Sequence, residues 1–311
     1  MTQLNIAHNG GAGSLYEQSA GEFVRRLNAT LPKSYAAAAY GDSKIGDDTA
    51  VLAKVKQGEI TFALPSTVMS SVSETFGIFE LPFLIRNRFQ VRQISDAMLD
   101  SVLQPEAQKH GYRILAIWEN GFRQITNNVR PIRRPEDLRG LKLRVPKGLW
   151  REKALRAMGA EPVPMPLHEV YKGLQSGAIE GQENPLSQIY GSKFHEVQQY
   201  LTLSDHVYTP AYLVVSEQHF AKLPPDVRRI IQRTAEEMQP WIYATAIRME
   251  SELIDKLSER MQSNQVDVKA FVDASRPLYG EFVRTVPGGA KLVNLVKELA
   301  ESASASAAPA Q

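Results

Sequence analysis

Apolar and polar positions in the first half of the chain alternate between strand-like and helix-like patterns. Residues 4–7 are typical of a short strand. Ser14, with Glu17 three positions later, has the spacing of a capping box that opens a helix. The pattern then predicts a helix over 49–56 that stops at Gly58, and buried strands over 60–64 and 113–118. This alternation predicts an α/β lobe with a mainly parallel sheet.

A second lobe is predicted to begin at residue 123. The pattern predicts strands over 141–145, 178–183 and 212–215, and helices over 150–158 and 168–175. Pro162, Pro164 and Pro166 give the segment between the two helices the character of an extended connector. The strand over 212–215 is predicted to return to the first lobe.

A long helix is predicted from Pro225 onward. Val227, Ile231 and Met238 lie on one apolar face, and the apolar stripe continues to Met261. Pro240 removes a backbone donor and is expected to kink this helix, which is long enough to span both lobes. Lobe I is assigned residues 1–122 with 211–250 returning, lobe II residues 123–210 with 251–300 returning, and the Ala/Ser/Pro-rich residues 301–311 are predicted to be a disordered tail.

Composition narrows the class of protein. The chain has 311 residues, of which 43% are apolar and 23% charged, as in soluble globular proteins with room for two lobes. A net charge of +2 gives no global field that favours nucleic acid. The chain has no cysteine, which excludes disulfides, thiolate metal sites and a cysteine nucleophile. No apolar run reaches the roughly 18 residues that span a bilayer.

Familiar catalytic and cofactor motifs are missing from the sequence. None of the six histidines has metal-binding spacing, and no Gly-x-Ser-x-Gly elbow occurs. The cluster Gly10–Gly13 lies between a strand and a helix, where it suits either anion binding by helix N–H groups or a flexible loop over a cleft. Its glycine spacing differs from the dinucleotide fingerprint. We therefore predict no catalytic residue, metal or cofactor.

Two arginines are the most informative candidates for ligand binding. Arg144 lies in the predicted strand 141–145, and Arg123 follows Gly121-Phe122 at the start of the second lobe. A guanidinium group presents a planar fork that matches a carboxylate with two hydrogen bonds. Asn184, turned outward by Pro185, completes a polar trio. Trp150, Tyr208 and Tyr212 are candidates for the pocket wall, although aromatic residues at such positions are more often core.

Several short stretches, in a fixed order between about residues 4 and 300, resemble the signature of one family. The longest are GFRQITN (121–127), PEDLRGLKLRVP (135–146) and GQENP (181–185), with shorter matches at KIGDD (44–48), LPFL (81–84), EVY (169–171) and KFHEVQ (193–198). They are similar to the DctP family, the solute-binding proteins of tripartite ATP-independent periplasmic (TRAP) transporters. So many matches in one order are specific, whereas any one alone would be weak.

The resemblance implies a fold, a ligand class and partners. The fold it implies is α/β, a two-lobed periplasmic-binding-protein-like architecture with a long kinked helix spanning both lobes. A small organic carboxylate would bind between the lobes and be delivered to integral membrane subunits of a TRAP transporter. By position, Arg144 matches the family's principal carboxylate-clamping arginine, Arg123 its second arginine and Asn184 its supporting asparagine. The resemblance also assigns ligand contacts to Asn9, Ser66 and Thr67.

The sequence leaves several questions open. Pro65 and Val68 stand where sialic-acid-binding members carry charged residues, which argues against sialic acid. Sugar acids, 2-oxo acids and dicarboxylates all remain possible, with a preference for a hydroxylated or ring-bearing monocarboxylate. The resemblance implies a periplasmic protein whose signal peptide has been removed, and a monomer is the expectation. No signal peptide precedes residue 4, so the sequence alone leaves a cytoplasmic protein open as well. The alternatives are an enzyme that acts on an organic acid in the same cleft, and a ligand-sensing domain.

Overall fold

One long strand, Tyr112–Asn127, is shared by both halves of the sheet system. The computed structural model describes residues 1–306, and the side chains of residues 1–300. The strands are β1 (Thr2–Ala7), β2 (Tyr35–Tyr40), β3 (Phe62–Ala63), β4 (Tyr112–Asn127), β5 (Lys142–Val145), β6 (Glu161–Pro164), β7 (Gly181–Pro185), β8 (Tyr200–Leu203), β9 (Tyr208–Ser216) and β10 (Gln262–Gln265). Their main order is β2-β1-β3-β9-β4-β7-β5-β6, and β8 pairs with both β4 and β10.

The pairing partner of β4 changes part-way along the strand. Its first part runs antiparallel to β9 as far as the pair Phe122 and Tyr208, and its last part runs antiparallel to β7 from Arg123 and Pro185 onward. Outside these central strands the two halves contain parallel pairs, β1 with β2 and β3, and β5 with β6 and β7. The lobe ranges given above remain predictions, but β4 and β9 provide the crossing strands between the halves.

Helices cover both faces of the sheets. They are α1 (Leu15–Thr30), α2 (Asp48–Gln57), α3 (Met69–Val72), α4 (Arg88–Met98), α5 (Gln104–Lys109), α6 (Leu149–Ala157), α7 (Leu167–Ser176), α8 (Leu186–Gly191), α9 (Glu217–Ala221), α10 (Pro225–Ser258), α11 (Val268–Thr285) and α12 (Gly289–Ser306). A 3₁₀ segment, Glu74–Glu80, precedes α4. None of these helices is both long and apolar enough to cross a membrane.

The helix caps follow from the local sequence. The Ser14 hydroxyl accepts the N–H of Glu17 at 3.2 Å, as the capping box predicts, while the Glu17 carboxylate accepts the N–H of Gly13 rather than that of Ser14. Asp47 caps α2 by accepting the N–H of Ala50 at 2.8 Å. Side-chain acceptors at these positions satisfy N–H groups that the helix itself leaves unpaired.

Two apolar clusters lie on opposite faces of the sheets, because successive side chains of a strand point to opposite sides. Phe62 and Leu64 belong to one cluster and Ala63 to the other. Each cluster extends across both halves: Ile114 and Leu143 share one core, and Leu4 and Leu201 share the other. Burial of apolar area is the main stabilising term, so the halves are stabilised together.

Helix α10 is the longest element and joins the two halves. It packs against α1, β4 and α8 and continues without interruption through Pro240. Its bounds agree with the prediction of one long helix from Pro225 onward, and the kink at Pro240 stays a prediction. Helix α12 reaches Ser306, six residues into the segment predicted to be disordered, so that prediction is corrected there. Residues 307–311 lie outside the described residues.

Gly77 offers a test of the packing between the segment 74–80 and α6. A Cβ at this position would overlap the buried indole of Trp150, which is itself packed against Phe282. We expect Gly77→Ala to lower the free energy of unfolding by about 1–3 kcal/mol through overpacking. The measurement is urea denaturation.

Gly21 provides the matched control, because it lies in α1 with open space where a Cβ would be. Gly21→Ala should leave stability unchanged or raise it by about 0.5–1 kcal/mol, owing to the higher helix propensity of alanine. Equal effects of the two substitutions would contradict the packing described.

Candidate ligand-binding site

The guanidinium of Arg144 is buried and lies at the wall of two adjoining cavities. Its Nε donates to the carbonyl of Met165 at 2.7 Å, and no Asp or Glu among residues 1–300 forms a salt bridge with it. Burial, together with the nearby Arg123, lowers the pKa of Arg144 to about 9. The group is therefore still a cation at neutral pH, in a place where the described side chains supply no direct counter-ion.

The two cavities differ in size and share part of their lining. The outer cavity has a volume of about 300 Å³ and the inner one about 30 Å³. Asn9, Asp48, Arg144, Pro146 and Leu167 line both. The outer cavity adds Ser43, Asp47, Thr49, Lys147 and Glu152 among its polar residues, and the inner one adds Tyr16, Ser66, Thr67, Asn120, Arg123, Asn184 and Gln188. Both are therefore lined by residues from the two halves of the fold.

Arg123 lines the inner cavity, but its fork is already engaged. Its Nη2 donates to the Glu183 carboxylate at 2.9 Å, to the Glu183 carbonyl at 2.6 Å and to the Asn184 Oδ1 at 3.2 Å, and its Nε also contacts the Glu183 carboxylate. The structure places Arg123 in the cavity wall with its Nε and Nη2 already bonded within the chain, and its contact with the ligand stays a prediction. Asn184 also donates to Gln182 at 2.6 Å, so Arg123 and Asn184 form a rigid wall.

Glu183 is the centre of a larger buried ionic network. Arg151 donates from Nη1 to the same carboxylate at 2.7 Å and from Nε to Glu80 at 2.6 Å, and His206 lies 3.2 Å away through Nε2. Burial alone would raise the pKa of Glu183, but the Arg123 and Arg151 guanidiniums hold it well below its usual range. Burial lowers the pKa of His206, which keeps it neutral. Two arginines thus balance two glutamates.

Asp48 is a site residue that sequence reasoning missed. The Asn9 Nδ2 donates to its two carboxylate oxygens at 3.1 and 2.9 Å. Burial raises the pKa of Asp48 to about 6, although the Arg144 charge acts in the opposite direction. A signal was present in the sequence: of two consecutive acids at a helix start, Asp47 serves as the cap, which leaves Asp48 free for another role.

Ser66 and Thr67 lie in the wall of the inner cavity, where the resemblance assigns them. Asn120 and Gln188 lie there too and were not anticipated.

The Gly10–Gly13 cluster leads into α1. The N–H groups of Gly13 and Glu17 are taken by Glu17 and Ser14, so two of the donors that an anion would use are occupied.

The predicted aromatic wall is wrong. Trp150, Tyr208 and Tyr212 are at most 1% exposed and line neither cavity. Edge-to-face contacts hold them in the core, with Trp150 against Phe282 at 4.9 Å between ring centroids and Tyr208 against Phe122 at 5.0 Å. Such contacts and the area they bury favour the core position, which is the alternative that the sequence left open.

Comparison with known proteins identifies the family of this chain. The profile of the DctP family, described as bacterial extracellular solute-binding protein, family 7, matches residues 6–285. This chain belongs to that family. The 2,3-diketo-L-gulonate-binding periplasmic protein YiaO of Escherichia coli is 31% identical over 84% of this chain and 80% of its own. The sialic acid-binding periplasmic protein SiaP of Vibrio cholerae is 31% identical over 90% and 88%.

Solved structures of DctP-type proteins have the same fold. A TRAP periplasmic solute-binding protein from Polaromonas, bound to D-erythronate, superimposes with a TM-score of 0.91 at 28% identity over 100% of both chains. The sugar acid binding protein DctPAm from Advenella mimigardefordensis, in complex with galactonate, gives 0.92 at 27% identity over 97% and 98%. The two-lobed fold is thereby confirmed. Members of the family are extracytoplasmic receptors that bind small organic acids and work with membrane subunits.

Replacing Glu183 tests the ionic network. Glu183→Gln leaves the Arg123 and Arg151 charges buried without their shared partner, and we expect the free energy of unfolding to fall by about 3–5 kcal/mol. Glu217→Gln is the control, because Glu217 pairs with Arg113 where both side chains are about one-third exposed. Chemical denaturation at pH 7 should show a loss of less than about 1 kcal/mol for the control. Similar losses would show that the network is not a special constraint.

Asp48→Asn tests the raised pKa of Asp48. Because the folded-state pKa of about 6 lies above the ordinary value of 3.8, ionisation of Asp48 disfavours the folded state as pH rises through this interval. We expect Asp48→Asn to be more stable than the wild type by about 1 kcal/mol at pH 8, since partial exposure screens the charge. The difference should disappear near pH 4. Denaturation curves that show a pH-independent difference would contradict this assignment.

Proposed function

We propose that this protein is a periplasmic receptor for a hydroxylated monocarboxylate of the sugar-acid type, which it delivers unchanged to a TRAP membrane transporter. The observation that carries this proposal is Arg144, a buried guanidinium that pairs with no carboxylate among residues 1–300 and lies at the wall of a cavity of about 300 Å³. A carboxylate that pairs with this fork replaces the lost hydration of the arginine with charge-assisted hydrogen bonds.

The charges around the cavities favour one carboxylate over two. Arg123 is neutralised by Glu183, so Arg144 is left as the arginine available to an anion. In the outer cavity Lys147 is outnumbered by Asp47, Asp48 and Glu152, which would repel a second carboxylate. Solved relatives with bound D-erythronate, galactonate and L-gulonate support this class, whereas two succinate complexes keep dicarboxylates as the competing outcome.

Binding is proposed to close the protein around the ligand. Arg144 contributes from β5, while Asn9 and Asp48 contribute from the end of β1 and the start of α2. A ligand that contacts both sets gains its full affinity only when the halves approach, so it shifts the population towards the closed state. The closed form would then be recognised by the membrane subunits. We propose that the receptor acts as a monomer whose signal peptide is removed on export.

Two alternatives are separated by simple observations. An enzyme acting on the acid would convert it, so recovery of the ligand unchanged after long incubation supports a receptor. A sensing domain would bind a signalling partner rather than the transporter subunits, and co-purification with membrane subunits distinguishes the two.

The role of Arg144 is tested with acids identified in a thermal-shift screen of sugar acids, 2-oxo acids and dicarboxylates. A ligand at 100 times its Kd should stabilise the protein by about 2.7 kcal/mol. Arg144→Ala should weaken binding of that acid by about 3–5 kcal/mol in calorimetric titrations. Arg144→Lys should also bind poorly, because an ammonium group cannot form the planar fork.

Arg113→Ala serves as the control for these titrations, since Arg113 is a partly exposed arginine that is paired with Glu217 and lines neither cavity. Its affinity should match the wild type. Near-normal affinity of Arg144→Ala would refute the proposed anchor, and near-normal affinity of Arg144→Lys would show that positive charge alone suffices.

A further inference from the structure

The inner cavity collects polar groups that the chain leaves without hydrogen bonds. The amide oxygens of Asn9, Asn120 and Gln188 and the hydroxyl of Ser66 are buried, line this cavity and have no partner among the described residues. The Tyr16 hydroxyl lies near Ser66, but neither hydroxyl is in hydrogen-bond geometry. Buried polar groups are nearly always satisfied in folded proteins. A cluster of this kind therefore indicates a place where another molecule supplies the partners.

The chemistry of these groups selects the partner. Amide oxygens only accept hydrogen bonds, so a carboxylate cannot satisfy them, whereas a hydroxyl can donate. The orientation of Asn9 is fixed, because its Nδ2 donates to both oxygens of Asp48 and its Oδ1 is thereby left to accept. The hydroxyls of Ser66 and Tyr16 can donate or accept as required. Because the fixed Asn9 oxygen can only accept, the cavity suits a small group that carries an O–H donor.

The size and position of the inner cavity further limit which group of a ligand it can hold. A volume of about 30 Å³ accommodates one or two water-sized groups and no longer chain. Arg144 lines both cavities, so a carboxylate in its fork lies at their junction. The atoms nearest to that carboxylate are those on the α-carbon of the ligand, and the remainder of the molecule has the outer cavity of about 300 Å³.

We propose that the inner cavity is a subsite for the α-hydroxyl group of the ligand, so that the protein selects 2-hydroxy acids over the corresponding 2-deoxy acids. This inference rests on the proposed function, since it requires the carboxylate to be held by Arg144. A 2-deoxy acid would leave the amide oxygens of Asn9, Asn120 and Gln188 without a donor from the ligand. Leaving buried acceptors unpaired weakens binding.

The test compares matched pairs of acids. D-Erythronate, D-galactonate and L-gulonate are each titrated calorimetrically beside their 2-deoxy analogues. The wild type should bind at least one hydroxy acid about tenfold or more tightly than its 2-deoxy partner. Ser66→Ala and Gln188→Leu should each reduce this ratio to about threefold or less, by weakening the hydroxy acid while the 2-deoxy acid changes by less than about twofold.

Two controls remove the same chemical groups elsewhere. Ser19 and Gln93 also carry buried side-chain oxygens with no hydrogen-bond partner in the described part of the chain, but they line neither cavity. Ser19→Ala and Gln93→Leu should keep the wild-type ratio. Melting curves of all four variants verify that each is folded before its affinity is interpreted.

The outcomes distinguish the subsite from the proposed function. Equal affinity of the wild type for both members of every pair, or a ratio that Ser66→Ala and Gln188→Leu leave unchanged, overturns the subsite while Arg144-dependent binding stands. Failure of every acid, hydroxylated or not, to bind overturns both. A ratio that falls only in the two cavity variants supports the subsite.

Discussion

The carboxylate of Glu183 holds two buried guanidinium groups at once, and the arrangement of the site depends on this. Through Arg123 it fixes β4 against β7, and through Arg151 it reaches α6 and Glu80. Burying any of these charges alone would cost several kcal/mol, so the groups stabilise the fold only as a set. The set is neutral, because two arginines face two glutamates while His206 is uncharged.

This neutrality defines the role of Arg144. The arginine lies beside the network but is not part of it, and its direct partner is a carbonyl. Asp48 stands across the cavities, yet its oxygens are held by Asn9. Because Arg123, Asn184 and Asp48 are held by hydrogen bonds within the chain, these side chains need little rearrangement when an anion arrives, and pre-organised groups lose less free energy on binding. The receptor function proposed for this DctP-family chain is consistent with such a site.

Much of the fold could be predicted from the sequence because its signals are local. Ser14 and Asp47 mark helix starts because their side chains accept N–H groups of the first turn. Gly58 marks a helix end because it adopts the left-handed conformation there. The full length of β4 could not be predicted, since Glu119, Asn120, Arg123 and Gln124 look like solvated residues until their distant partners bury them.

The candidate site likewise contains some residues that could be predicted from the sequence and others that could not. Arg144 could be selected because it alternates with Leu143 and Val145 in a strand, which places it on one face. Glu183 could not be assigned as the partner of Arg123, because 60 residues separate them and only the pairing of β4 with β7 brings them together. Trp150 could not be assigned from its residue type, because an aromatic ring suits both a core and a ligand-binding wall. Its contacts with Phe282 and Gly77, which only the fold reveals, place it in the core.

The sharing of both apolar clusters across the sheets has a consequence for how the molecule can be divided. Neither half has an apolar core separate from the other's, because Ile114 and Leu143 belong to one continuous cluster, and Leu4 and Leu201 belong to the other. A fragment cut at the crossing strands would expose two apolar surfaces together. We therefore expect the two halves to fold together, and not to act as independent modules that could be exchanged between relatives.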